Sequence, residues 1–239
     1  MKVLLIGPAG SGKSLLTRSL GEWLRRGGYS VALVNLDPAC GYLPYKPDFD
    51  IRSFYDIRKI MRKEKLGPNA AVIRVHELLS NNLEKILPEL KIERDFILID
   101  TSGQMELFVF RETGPKIVEA LKDAVGIFLV DATLMNPIDL VTLKLMAQVV
   151  RLRLNVPVVP VITKVDLVPE INFANSAQLT REIRKQKGSV VDLALALNKS
   201  LDGFDIPVRV IKISSKTCEG FGELLSTLYE TYCECGDLT

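Results

Sequence analysis

A chain of 239 residues, 47% hydrophobic and 25% charged, has room for one large α/β domain or two small ones. Its mean hydropathy of +0.18 suits strands buried on both faces. A net charge of +2, from 31 basic and 29 acidic residues, gives no electrostatic reason to expect direct binding of nucleic acid or membrane.

The first apolar run, KVLLIG (2–7), enters structure at once, so no leader is expected and the cytoplasm is the expected location. It leads into GPAGSGKS (7–14) and a helix over 13–27. The second strand, VALVNL (31–36), closes on Asp37 and Pro38. An overlong stretch then separates it from the third strand, with a helical insertion expected at about 50–94. Inside it, the mixed-sign run RKIMRKEK (58–65) reads as a solvated helix face. EKLGPNAAV (64–72) reads as a helix end and a new start, with Gly67 stopping one helix and Pro68 opening the next over 70–90. On composition alone, Gly67-Pro68-Asn69 is only a turn.

FILID (96–100) is the third strand, followed by a Gly-containing turn and a helix over 108–122. VGIFLVD (125–131), a helix over 137–153 and PVVPVIT (157–163) come next. A second helical insertion, about 168–206, holds two helices broken near Gly188. VRVIKIS (208–214) and a helix over 221–232 close the pattern. The runs are continuous rather than alternating, as expected of parallel strands covered on both sides. Strand–helix alternation without a linker or repeat predicts one doubly wound, mostly parallel α/β domain with two helical insertions. No apolar run approaches the ~20 residues of a membrane span, and four cysteines do not suggest a disulfide framework.

The strand–loop–helix setting of GPAGSGKS gives it a specific meaning. Gly10, Ser11 and Gly12 can wrap backbone N–H groups around phosphate oxygens at a helix N-terminus. Lys13 would reach the β- and γ-phosphates, and the Ser14 hydroxyl would bind Mg²⁺. The buried strand FILID ends on Asp100, placed to hold a magnesium-bound water. Gly103 could give its N–H to the γ-phosphate, and Gln104 could orient an attacking water. In VITKVDLV (161–168), Asp166 can accept from the guanine N1–H and exocyclic amine while the Lys164 stem packs over the base. Adenine would leave that carboxylate underpaired, at a cost of ~1–3 kcal/mol or more. Thr163 stands where Asn is commonest. Ser214, Ser215 and Lys216 are similar to an S-A-K loop whose backbone meets the guanine oxygen. All four motifs fall at strand carboxyl ends, where such sheets bind ligands.

Taken with VNLDPA, LGPNAA, DTSGQME and the ending YCECGDLT, these motifs resemble the GPN-loop GTPases, in particular their archaeal-type single-domain members, over essentially the whole length. The resemblance implies a homodimeric, magnesium-dependent P-loop GTPase of the dimer-activated class, with GTP as substrate and GDP as product. It implies that Gly67, Pro68 and Asn69 act in trans on the partner's site, and that Asp37 lies near magnesium and the attacking water. Ser102 departs from the family's usual Pro, which bears on the switch geometry after Asp100, and Thr163 from its Asn, which bears on the strength of guanine preference. His76, the only histidine, is expected to be at the surface or hydrogen-bonded. Cys233 and Cys235 alone do not make a zinc site, and Cys40 is expected to be packing.

Three functions remain in view on the sequence. One is a GTPase timer whose nucleotide state switches its conformation. Another is an assembly or chaperone factor for an unidentified protein client, with hydrolysis secondary. A third is a P-loop kinase on a small molecule or RNA end, which the guanine-type motifs disfavour.

Overall fold

The computed structural model describes residues 1–168, 176–202 and 209–236, with side chains through Cys233. Seven strands among these residues form one sheet in the order β3-β2-β4-β1-β5-β6-β7, every pairing parallel. They are β1 (Lys2–Ile6), β2 (Val31–Asn35), β3 (Phe49–Asp50), β4 (Phe96–Asp100), β5 (Ala124–Asp131), β6 (Val158–Thr163) and β7 (Ile211–Lys212). The helices are α1 (Lys13–Arg26), α2 (Ile57–Glu64), α3 (Pro68–Asn81), α4 (Leu83–Ile86), α5 (Met105–Val109), α6 (Thr113–Leu121), α7 (Pro137–Leu154), α8 (Ser176–Lys185), α9 (Val190–Asp202) and α10 (Phe221–Gly236). This is a P-loop NTPase fold. Among the described residues no helix is long and apolar enough to cross a membrane.

Strand periodicity splits the core into two layers. Leu4, Ile6, Ile97 and Ile99 point to one face, where they join Leu79 of α3, Ile117 of α6 and Leu140 and Val150 of α7. Val3, Leu5, Phe96 and Leu98 point to the other, against Leu16, Leu20 and Leu24 of α1 and Phe221, Leu224 and Leu228 of α10. The fully buried runs of β2, β4 and β6 follow from this double cover. Pro160 is tolerated in β6 because β7 pairs only with Val161 and Ile162, so no ladder bond from that side is asked of its missing N–H.

The structure departs from the sequence expectations in four places. The helix expected over 70–90 is α3, the single turn α4 and a 3-10 turn at Leu87–Leu90 that carries Pro88. The helix expected over 108–122 is broken into α5 and α6, and at the turn a side chain on Gly114 would stand 2.0 Å from the Phe108 carbonyl oxygen. β3 was not anticipated, because two residues in a polar loop carry no period. The last strand is shorter than 208–214; its first residue lies outside the described ones. The helix break near Gly188 is present, with φ of +128° there, and α2 buries none of its residues.

At the opening of α3, Lys65 ends α2 in the left-handed region at φ 54°. Gly67 does not stop that helix. It caps α3 with φ −71°, and Pro68 is the first helical residue. Residues 67–70 are all exposed.

Candidate nucleotide site

β1 delivers the phosphate loop into the crevice at the strand carboxyl ends. Gly7 leaves the strand at φ +153°, where a Cβ would lie 2.5 Å from the Leu129 carbonyl oxygen, so only glycine fits. Gly12, at φ +94°, is the N-cap of α1 and leaves the helix N-terminus open to an anion. Gly10 also lies in the left-handed region. Lys13, the first residue of α1, is buried and folds back over the loop. Its Nζ donates to the Gly7 carbonyl at 2.8 Å and to the Pro8 carbonyl at 2.9 Å. Burial lowers its pKa, and the carboxylates of Asp100 and Asp37 oppose that shift.

Asp100 ends β4 opposite Leu5 and Asn35 in the parallel register and is 1% exposed. Burial raises its carboxyl to about 6, against the nearby hydroxyls of Ser14 and Tyr45 and the Lys13 charge. The Tyr45 hydroxyl donates to Oδ2 at 3.1 Å, while the buried Oδ1 has no partner. A hydroxyl beside a carboxylate with an unused buried oxygen, and Asp37 close enough to shift Asp100, suits a hard cation held by oxygens. Magnesium takes one or two carboxylates and leaves its other positions to phosphate and water. Among the described residues no group of three or more His, Cys, Asp or Glu side chains converges as a metal site, which is compatible with that sparse ligation. Ser14, Asp100 and Asp37 fit the ion.

Asp37 does more than cap the turn before Pro38. Its Oδ1 accepts from Ala39 N at 2.9 Å, and its Oδ2 accepts from Gly103 N at 3.2 Å. The N–H expected to meet the γ-phosphate is therefore engaged by Asp37. Beneath it, the buried Asn35 accepts from Asp37 N and donates to Asp50. Asp50 is gripped in turn by Arg52, whose Nη1 reaches the Cys40 carbonyl. Ser102 is buried, and its Oγ accepts from Gln104 N at 3.3 Å, closing the turn where the family usually has Pro. Gln104 precedes α5, and its Nε2 lies 3.4 Å from Asn69 Oδ1 of the same chain. The GPN tripeptide thus sits beside its own chain's Gln104.

Thr163 is buried, and its hydroxyl lies 2.8 Å from the Ser11 carbonyl and 3.2 Å from that of Val130. The shorter side chain still ties the end of β6 to the loop that carries Ser11. Lys164 adopts φ 61° and its Nζ is bonded to Asp131. Asp166 is exposed in a single 3-10 turn at Val165–Leu167. The neighbouring loop is stitched to it by Val165 N donating to the Ile213 carbonyl. Ser214 is buried, and its Oγ accepts from the N–H groups of Lys216 and Thr217, both at 3.2 Å; Ser215 is half-buried and Lys216 exposed.

Asn35, Tyr45, Asp50, Arg52 and Asp131 belong to none of the nucleotide motifs. Asp131 ends a buried strand as Asp100 does, a signal that was readable. Tyr45, in an irregular loop, carried none. His76 contradicts expectation: it is 1% exposed and neither ring nitrogen has a partner among the described residues. Burial and the charge of Arg111 push its pKa down to about 4. It borders a cavity of about 770 Å³ between α3 and the α5–α6 turn, and none of the nucleotide motifs lines that cavity. Cys233 is exposed, and the Cys235 side chain lies outside the described ones.

Comparison with known proteins adds the family. Residues 5–234 match a family model described as "Conserved hypothetical ATP binding protein". The GPN-loop GTPase PAB0955 of Pyrococcus abyssi is 38% identical, with 100% of each chain covered. GPN-loop GTPase 2 of Schizosaccharomyces pombe is 36% identical over 89% of this chain and 74% of its own. The crystal structure of the Pyrococcus abyssi GTPase in its apo form superposes with a TM-score of 0.89 at 35% identity, covering 98% of both chains. With its phosphate loop, Asp100 and Asn69 gathered at one end of that fold, this chain belongs to the GPN-loop GTPases.

Proposed function

We propose that this chain is a single-domain, magnesium-dependent GTPase of the cytoplasm that works as a homodimer, hydrolysing GTP to GDP and phosphate. Its nucleotide cycle would switch how it holds a protein client during assembly of a complex. The observation that carries the chemistry is the position of Lys13. Its ammonium rests on the Gly7 and Pro8 carbonyls, close enough to Asp100 and Asp37 to feel both carboxylates, on the loop where the phosphates of a nucleotide would lie. Magnesium, held by Ser14, Asp100 and Asp37, would neutralise charge on the transferring phosphoryl group. Gln104 would orient the attacking water, and Asp37 would align it or accept its proton. The family-model description speaks of ATP, whereas Thr163, Lys164, Asp166 and the Ser214–Lys216 loop form a guanine-type constellation, and the relatives are named GTPases. Guanine is the reading that the base-site residues favour.

Asn69 would act in trans on the partner subunit's phosphate. Two features support this. Residues 67–70 are exposed, and Gly67 needs neither a positive φ nor close packing within its own chain. A second reading, in which Asn69 serves its own subunit, is favoured by its 3.4 Å contact with Gln104. A mixture of Asn69→Ala and Lys13→Ala chains separates the two. If Asn69 acts in trans, the heterodimer holds one complete site and regains turnover that neither homodimer has. No recovery in a mixture shown to contain heterodimer would sink the trans reading.

A further inference from the structure

We propose that Asp131 is a positioning residue of the base pocket, acting through Lys164. The inference rests on the base-site reading above and adds a residue that the nucleotide motifs do not include. The register of β5 and β6 sets Asp131 opposite Thr163, so the next residue, Lys164, emerges diagonally across from the carboxylate. Lys164 then takes φ 61°, a conformation that costs a non-glycine residue energy and needs outside support. Its Nζ is bonded to Asp131 Oδ2. The other carboxylate oxygen is also committed: Oδ1 accepts from Thr133 N at 2.9 Å and Thr133 Oγ1 at 2.8 Å. The Asp131 side chain is only 12% exposed, so the anchor is drier than an ordinary surface pair, while Lys164 is 34% exposed along its length.

The consequence concerns the stem. A lysine free at its tip spreads over many rotamers, and ordering it on nucleotide binding would cost affinity. With the tip held by Asp131 and the backbone pinned by Thr163 on the phosphate loop, the methylene chain is fixed before any nucleotide arrives. It would form a ready apolar shelf for a base whose edge reaches Asp166, which is preorganisation in the ordinary sense. The anchor works on binding, not on the phosphoryl transfer at the far end of the nucleotide.

Asp131→Asn keeps an oxygen for Thr133 and removes the acceptor for Lys164. Fluorescent GDP displacement should show affinity falling about tenfold. KM for GTP should rise similarly while kcat stays unchanged. Lys164→Ala should weaken GDP at least as much, and the double variant should match Lys164→Ala, because the carboxylate has nothing left to hold. Asp131→Glu, which keeps the charge, should recover most of the affinity, and Asp131→Ser, which also removes the acceptor for Lys164 and should show the same fall, serves if Asp131→Asn folds poorly. Native GDP affinity in a folded Asp131→Asn, or losses that multiply in the double variant, would overturn the proposal while leaving the base site intact. Native affinity in Lys164→Ala would instead remove the base-site reading, and the proposal with it.

Discussion

Replacing His76 by Leu tests how the helix that begins at Pro68 is held. The imidazole lies in the core side of α3 at 1% exposure, with both ring nitrogens unpaired. Its pKa falls from the usual 6.5 to about 4, through burial first and the Arg111 charge second. The folded protein therefore resists protonation that the unfolded chain accepts. The stabilising difference is fully present above pH 6.5 and is lost as pH falls from 6.5 to 4. That gap corresponds to about 3 kcal/mol. For a chain of this size it is roughly 6–12 °C in unfolding midpoint. Leu, of similar volume and with no polar atom to satisfy, should cost little at pH 7.5 and can gain about 1–2 kcal/mol. Urea unfolding of the nucleotide-free protein at pH 7.5, 6, 5 and 4.5 measures both quantities. The Leu variant should lose about 2.5 kcal/mol less than the native protein across that range, because pH 4.5 still lies above the folded-state value. An acid-side loss of the same size in both proteins would refute the argument, as would a destabilisation above about 2 kcal/mol at pH 7.5, which would mean the ring is hydrogen-bonded after all.

Other outcomes follow from the site. Lys13→Ala should abolish turnover, measured as phosphate release, and removing magnesium with EDTA should do the same in the native protein. Thr163→Val keeps the shape of the side chain but removes the hydroxyl that bridges Ser11 and Val130. It should weaken GDP binding about tenfold, by loosening the base and phosphate loops together, as read by calorimetry.

The sheet was legible because double cover forces continuous apolar strands, and β1, β2, β4, β5 and β6 all stand where such runs lie. The phosphate loop was legible because a strand, a glycine-rich turn and a helix follow one another without a gap, and Asp100 and Thr163 because they stand where continuous apolar runs end. What escaped depends on contacts distant in sequence. β3 is two residues long, and only the alignment of Val34 and Asn35 with Phe49 and Asp50 makes it a strand. The α5–α6 break follows from the approach of Gly114 to Phe108, which no local propensity signals. The burial of His76 was hidden for the same reason: its face of α3 meets α6, where Thr113 Oγ1 donates to the His76 carbonyl. Tyr45 reaches Asp100 from 55 positions away, beyond the range of any local pattern.

Guanine-specific hydrolysis is the central claim, and the direct measurement is magnesium-dependent phosphate release from GTP and from ATP, side by side, in the native protein and in Asp166→Ala. The exposed Asp166 carboxylate would accept two donors that guanine has and adenine lacks. Native kcat/KM should favour GTP by at least about a hundredfold, and Asp166→Ala should narrow that ratio. Equal kcat/KM for GTP and ATP in the native protein would contradict the account.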